Sequence, residues 1–271
     1  MRAFASRPAG AFAASDVRTQ FRTQLCATAG NSIPSLDAVV IEAERKHRCS
    51  VIFMHGLGDT GDGWGSLMPQ IDAVLPPALR GSIRWICPHA PQRPITLNGG
   101  LRMPGWFDLR GLTADEEEDA EGLSAAAAQI EELVERERAA GIPTERILVG
   151  GFSQGGALAL HVGLRSTARY AGVAVLSTWL PLAADYPASI SEAARDTPFL
   201  VAHGDADMVV SHAWGQGSFS KLEEAGLNAR FVTAPGVGHG ADAMMLREVA
   251  GFVEAALGAS GGGEGEAALS A

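Results

Sequence analysis

Positive charge is in short supply in this chain. Lys and Arg together number 21 against 31 Asp and Glu, a formal net charge of −10 over 271 residues. Surfaces that bind nucleic-acid phosphates carry a basic face, so nucleic acid is excluded as a partner class. Adsorption to anionic lipid gains little electrostatic support for the same reason. Cysteine is also scarce. Cys26, Cys49 and Cys87 have neither metal-ligand spacing nor the pattern of a disulfide framework. They read as reduced, partly buried thiols in a reducing compartment, which points to the cytoplasm. No apolar run approaches the ~20 residues a membrane-spanning helix needs. No long apolar core precedes a cleavage-like site, so no secretory signal is indicated. Internal repeats are absent.

What remains is the composition of one globular body, 46% hydrophobic and 19% charged, in a chain long enough for a sizeable core. The ends differ from the middle. Residues 1–36 carry Arg2, Arg7, Arg18 and Arg22 but a single acid, Asp16, among Ala, Ser and Thr. This reads either as a flexible, solvated extension or as a transit peptide to mitochondrion or plastid, which would be arginine-rich and acid-poor. Residues 258–271 are mostly Gly, Ala, Ser and Glu and read as a flexible tail. The folded domain is expected over 37–257.

Within it, strand and helix patterns alternate. Ala38–Ile41, Val51–Met54, Ile83–Ile86, Ile147–Gly150, Gly172–Leu176, Phe199–Ala202 and Arg230–Thr233 read as strands. A long helix runs through Leu123, Ile130, Leu133 and Val134 and stops at Gly141-Ile142-Pro143, with the glycine as stop and the proline beyond it. Further helices follow from Gln154, around Ser218–Ala225, and from Ala241 to about Leu257. Continuous apolar strands between helices predict an α/β fold: a mostly parallel sheet covered on both faces. No helical insertion long enough for a cap domain interrupts the alternation. The run Asp115-Glu116-Glu117-Glu118-Asp119 reads as a solvated helix start favoured by the helix dipole, not as a metal site.

The most informative string is Gly151-Phe152-Ser153-Gln154-Gly155. An apolar strand precedes it and a small-residue helix follows, the context of a nucleophile elbow. A serine nucleophile needs a base, and the base an orienting acid. In this arrangement the order is serine, acid, histidine, each at the end of a strand. The strand after Phe199 ends in His203-Gly204-Asp205-Ala206-Asp207, and the next ends before Gly238-His239-Gly240. Asp207 and His239 are the natural acid and base. Asp205 competes as acid, though its place nearer the strand suits tying the loop to backbone amides. His212 competes as base but lies near a helix start. His161 reads as packed and His203 as loop support. His47 and His89 precede the serine, against the chain order. Met54 ends an early strand, and the turn His55-Gly56-Leu57-Gly58-Asp59 follows. The N–H groups of Leu57 and Gln154 are the expected oxyanion donors.

Several longer strings carry a family likeness: Val51-Ile52-Phe53-Met54-His55-Gly56-Leu57-Gly58-Asp59-Thr60-Gly61, Cys87-Pro88-His89-Ala90-Pro91, Arg93-Pro94-Ile95-Thr96-Leu97-Asn98, Met103-Pro104-Gly105-Trp106-Phe107-Asp108, Leu176-Ser177-Thr178-Trp179-Leu180-Pro181-Leu182, and the two strings holding Ser153 and Asp207. Over Asp37 to Leu257 the chain resembles the acyl-protein thioesterases and lysophospholipase-type carboxylesterases of the α/β-hydrolase fold. The resemblance implies Ser153, Asp207 and His239 as the triad, with Asp207 over Asp205, and no metal or organic cofactor. It implies an acyl-chain channel beside the serine, to which the apolar segment holding Ile95, Leu97, Trp106 and Phe107 would contribute together with Trp179 and Leu180. The implied partner is an acylated protein or a lipid or other ester, met in transient contact with a membrane surface. Met208 stands where the family usually has proline, and Gly240 where the animal enzymes usually have serine. A hydrolase-fold protein that binds an apolar ligand without turnover is the alternative.

Overall fold

A computed structural model describes residues 36–113 and 116–258. The expectations for the two chain ends and for Cys26 lie outside the described residues, apart from Leu36 and Gly258. The strands are β1 Ala38–Ile41, β2 Cys49–Met54, β3 Ile83–Pro88, β4 Gln92–Ile95, β5 Leu101–Pro104, β6 Ile147–Phe152, β7 Gly172–Leu176, β8 Phe199–Gly204 and β9 Ala229–Ala234. The helices are α1 Gly61–Gly65, α2 Met68–Val74, α3 Ala120–Ala139, α4 Gln154–Arg165, α5 Glu192–Arg195, α6 His212–Glu224 and α7 Ala243–Gly258. Seven strands form one sheet in the order β1-β3-β2-β6-β7-β8-β9. Only β1 runs antiparallel, on β3; the other neighbours are parallel.

Every residue of β2, β7 and β8 is buried, as parallel strands covered on both faces must be. Side chains alternate between two cores. Ile52, Met54, Val173 and Val175 meet Ile130 of α3, Leu158 of α4 and Leu222 of α6 on one face. Val51, Phe53, Ala174 and Leu176 meet Met68 of α2 and Val249 of α7 on the other. Asp119 caps α3, its Oδ1 accepting the Gly122 N–H at 2.9 Å. The helix ends before Gly141, whose φ of +94° is the left-handed conformation a glycine stop supplies.

The structure departs from the sequence reading in two places. Residues 92–104, which the strand pattern leaves out, form a hairpin, β4 on β5, apart from the main sheet. Helix α6 starts at His212, where the sequence puts a helix start, and so extends ahead of the Ser218–Ala225 pattern. The acidic run is only partly solvated: Glu116 and Glu117 are exposed, but Glu118 accepts the Leu182 N–H at 2.6 Å and the Trp179 indole N–H at 3.3 Å. Burial raises its carboxyl above the usual range. Asp115 lies outside the described residues.

Candidate active site

Parallel strands place all their following loops at one edge of the sheet. Ser153 follows β6, the Asp207 loop follows β8, and the His239 loop follows β9. Ser153 has φ +52° and ψ −119°, a conformation L-residues rarely adopt. The turn is tight because its neighbours lack side chains. A Cβ on Gly151 would lie 2.4 Å from the Gly155 carbonyl carbon, and one on Gly155 would lie 2.4 Å from the Met54 oxygen. Thr178 Oγ1 donates to the Ser153 carbonyl at 2.7 Å, and the Ser153 N–H donates to Leu176 O at 2.9 Å. These bonds hold the strained residue from both sides.

The three residues in serine–acid–histidine order meet here. His239 Nε2 lies 3.0 Å from Ser153 Oγ, and His239 Nδ1 lies 2.8 Å from Asp207 Oδ2. Asp207 is buried, and its Oδ1 accepts the N–H groups of Val209 and Val210 at 2.9 and 3.0 Å. Asp205 is exposed and turned elsewhere; its Oδ1 accepts the Gly236 N–H at 2.6 Å. His212 hydrogen-bonds Thr233 Oγ1, His161 is buried in α4, and His89 accepts the Gly61 N–H. None of these is brought to the serine.

The turn after β2 passes beside the serine: a Cβ on Gly56 would stand 3.4 Å from Ser153 Cβ. Among the described residues the Leu57 N–H has no acceptor, and the Gln154 N–H, first in α4, has none within the helix. The turn is fixed from behind. His55, fully buried, donates from Nδ1 to Gly56 O at 2.7 Å and accepts the Ala90 N–H on Nε2 at 3.0 Å. Burial pushes its imidazole below the usual histidine range, which suits a ring used once as donor and once as acceptor. The Gln154 side chain is clamped as well, accepting the Trp106 N–H at 3.0 Å and donating to Phe107 O at 2.8 Å. The Trp106 indole donates to His55 O at 2.8 Å. The roles of the His55 ring and of the Gln154 side chain are not read from sequence, because the contacts to Ala90, Trp106 and Phe107 join segments far apart in the chain.

Among the expected wall residues, Ile95 and Trp106 have no exposed surface, and Phe107, Trp179 and Leu180 are buried. Phe107 meets Trp179 edge to face, with centroids 6.4 Å apart, and Trp179 stacks on Trp214 at 5.1 Å. Phe107, Leu180 and Trp214 line a surface hollow whose other side is the acidic segment up to Asp119. Leu97 stands apart, 39% exposed near the hairpin tip.

A seven-stranded, mostly parallel sheet with a strained serine between strand and helix, and an acid and a histidine on later loops, defines an α/β-hydrolase. The chain belongs to the phospholipase/carboxylesterase family, whose model matches residues 36–257. It is 42% identical over 195 residues to acyl-protein thioesterase 1 homolog 1 of Dictyostelium discoideum, covering 71% of this chain and 84% of that one. It is 39% identical over 216 residues to acyl-protein thioesterase 1 of Neurospora crassa, covering 75% and 84%. The crystal structure of Zea mays acyl-protein thioesterase 2 superposes with a TM-score of 0.73 at 33% identity, covering 82% of this chain and 99% of that one.

Proposed function

We propose that this protein hydrolyses acyl thioesters or carboxylic esters through an acyl-enzyme on Ser153. The observation that carries the reading is the continuous relay from Asp207 Oδ2 through His239 to Ser153 Oγ, at 2.8 and 3.0 Å. His239 takes the Ser153 proton as the oxygen attacks the acyl carbonyl. Asp207 fixes the imidazole tautomer and stabilises its cation. The Leu57 and Gln154 amides receive the developing oxyanion; such a donor supplies roughly 10²–10³ in rate. His239 then protonates the leaving thiolate or alkoxide and activates the water that releases the acid. The names of the relatives point to S-acylated protein as substrate. Of the expected wall residues Leu97 is the exposed one; Phe107 and Leu180 are buried at the edge of the hollow, with Ile95, Trp106 and Trp179 packed behind. No helix among the described residues is long and apolar enough to cross a membrane. An acylated-protein substrate suits a cytoplasmic enzyme in passing contact with the membranes that hold such proteins.

Ser153→Ala is expected to lower hydrolysis of p-nitrophenyl esters and short thioesters by at least about 10⁴-fold while the fold persists. A fluorophosphonate probe should label the parent at Ser153 stoichiometrically. A chain that binds acyl ligand but is never labelled would be the non-catalytic binder instead. Catalytic efficiencies on palmitoyl-cysteine peptide, lysophosphatidylcholine and short aryl esters, taken side by side, test the leaving group. The peptide is expected to lead, and a lead by the lysophospholipid would reassign the substrate.

A further inference from the structure

The catalytic carboxylate has a second imidazole against it. His203, at the end of β8, is fully buried, and its Nε2 donates to Val210 O at 2.8 Å. The same nitrogen lies 3.3 Å from Asp207 Oδ2, the oxygen that holds His239, and both side chains have no exposed surface. Val210 in turn donates its N–H to Asp207 Oδ1. A small closed circuit results: the ring holds the Val210 carbonyl, Val210 holds one carboxylate oxygen, and the ring edge lies against the other.

We infer that His203 is a positioning residue for hydrolysis, holding the Asp207 carboxylate with one oxygen on His239 and the other on the backbone of its own turn. The inference rests on the triad reading above. A carbonyl only accepts, so the His203 hydrogen sits on Nε2 and Nδ1 is bare. Nδ1 is buried without a partner among the described residues, and α6 closes on it: a Cβ on Gly215 would lie 2.2 Å away. A second proton on this ring would have no acceptor. Burial, with His212 and His239 nearby, pushes the imidazole below the usual histidine range. His212 meets it edge-on at 5.8 Å and itself faces Thr233 and Phe231. The ring therefore gives its one hydrogen to Val210, whose N–H holds Asp207 Oδ1, lies neutral against Oδ2 at 3.3 Å, and leaves the carboxylate charge to His239.

A residue that only fills space would be replaceable by a ring of similar size. A positioning donor would not. In the full chain, His203→Phe is expected to lower kcat on a p-nitrophenyl ester about ten-fold, with KM within about two-fold, because small misplacements in a relay are costly in rate. His203→Gln, which returns an N–H at that reach, should recover most of kcat. A folded His203→Phe with the parent kcat would overturn the inference, as would a His203→Gln no better than Phe. If the Phe variant does not fold, His203→Asn replaces it, its amide being too short to reach Val210. Asn slower than Gln supports the inference, and equal rates overturn it. Ser153→Ala in the same series separates the two readings. An active Ser153→Ala sinks the triad itself, whereas an inactive one beside a normal His203→Phe sinks only the role of His203.

Discussion

The sheet carries a serine, a histidine and a carboxylate at each end, and only one of the two sets is built as a relay. At the far edge, Ser50 near the start of β2 lies 2.9 Å from His47 Nε2 and donates to Glu137 Oε2 at 2.5 Å. Arg84 holds the other Glu137 oxygen at 2.8 Å. The residue types match those at Ser153, but the arrangement differs. Ser50 gives its proton directly to a carboxylate already paired with a guanidinium. At the candidate site the acid reaches the serine only through the imidazole. Ser50 is fully buried in a strand paired on both sides, with Arg84 and Ile147 opposite it, so its neighbours' amides are committed to the ladder. Ser153 stands at a turn with uncommitted amides beside it. Nucleophilic chemistry depends on that turn and those amides; composition alone yields a polar tie between β2, β3 and α3.

The sharpest way to break this comparison is to neutralise the acid at each end. Asp207→Asn is expected to cut kcat by about 10⁴-fold, by favouring the wrong tautomer of the base. Glu137→Ala should leave the rate per folded molecule within about two-fold, since nothing in its network touches the relay. Steady-state hydrolysis normalised to fluorophosphonate-reactive protein measures both. Comparable losses of kcat would erase the distinction drawn here.

The second expected effect reverses the ranking and is read in stability. Glu137 is 2% exposed, and removing it leaves Ser50 with His47 alone and Arg84 without its buried partner. Because the Arg84 side chain is 27% exposed, water reclaims part of its charge. The cost is therefore put at about 2–3 kcal/mol, at or below the lower end for a broken buried pair. Urea unfolding of Glu137→Ala and Asp207→Asn reads this. A Glu137→Ala as stable as the parent would mean that the far cluster ties nothing together.

The sequence makes one of these ends far more legible than the other. Apolar runs mark the interior strands of the main sheet because parallel strands buried on both faces admit little else, and shorter apolar runs mark the half-buried edge strands β1 and β9. The elbow is visible because its glycines are sterically required, and the order of serine, acid and histidine is visible because each ends a strand. The hairpin is hidden by Pro94, Gly99, Gly100 and Pro104, and by outward-facing positions that weaken its alternation. The first turns of α6 are masked by Gly215 and Gly217, the first of which keeps clear of His203. Clamps such as Trp106 on Gln154, 48 residues apart, leave no local pattern. Neither does Ser50 with Glu137, 87 residues apart. Chain order discounts His47 as a base but says nothing of the network that holds it.

The smallest expected effect concerns a histidine in neither cluster. His161 lies in α4, the helix that Ser153 begins, with 5% of its surface exposed and Nδ1 unpartnered among the described residues. Burial, with Arg165 adding to it, lowers its pKa to about 4 from the usual 6.5. A depressed value means that the unfolded chain takes up this proton first as pH falls. Stability is then lost progressively between pH 6.5 and 4, and none of it is lost above that window. By linkage the loss is about 1 kcal/mol at pH 5.5. His161→Leu should flatten that part of the stability–pH curve while leaving the pH profile of kcat/KM in place. Urea midpoints at pH 7.5 and 5.5 give the first, and ester hydrolysis over the same range gives the second. The protonation of His161 would then be read in folding and not in rate. A variant that moves the kcat/KM limb would tie His161 to the relay through α4 and weaken the contrast between the two ends of the sheet.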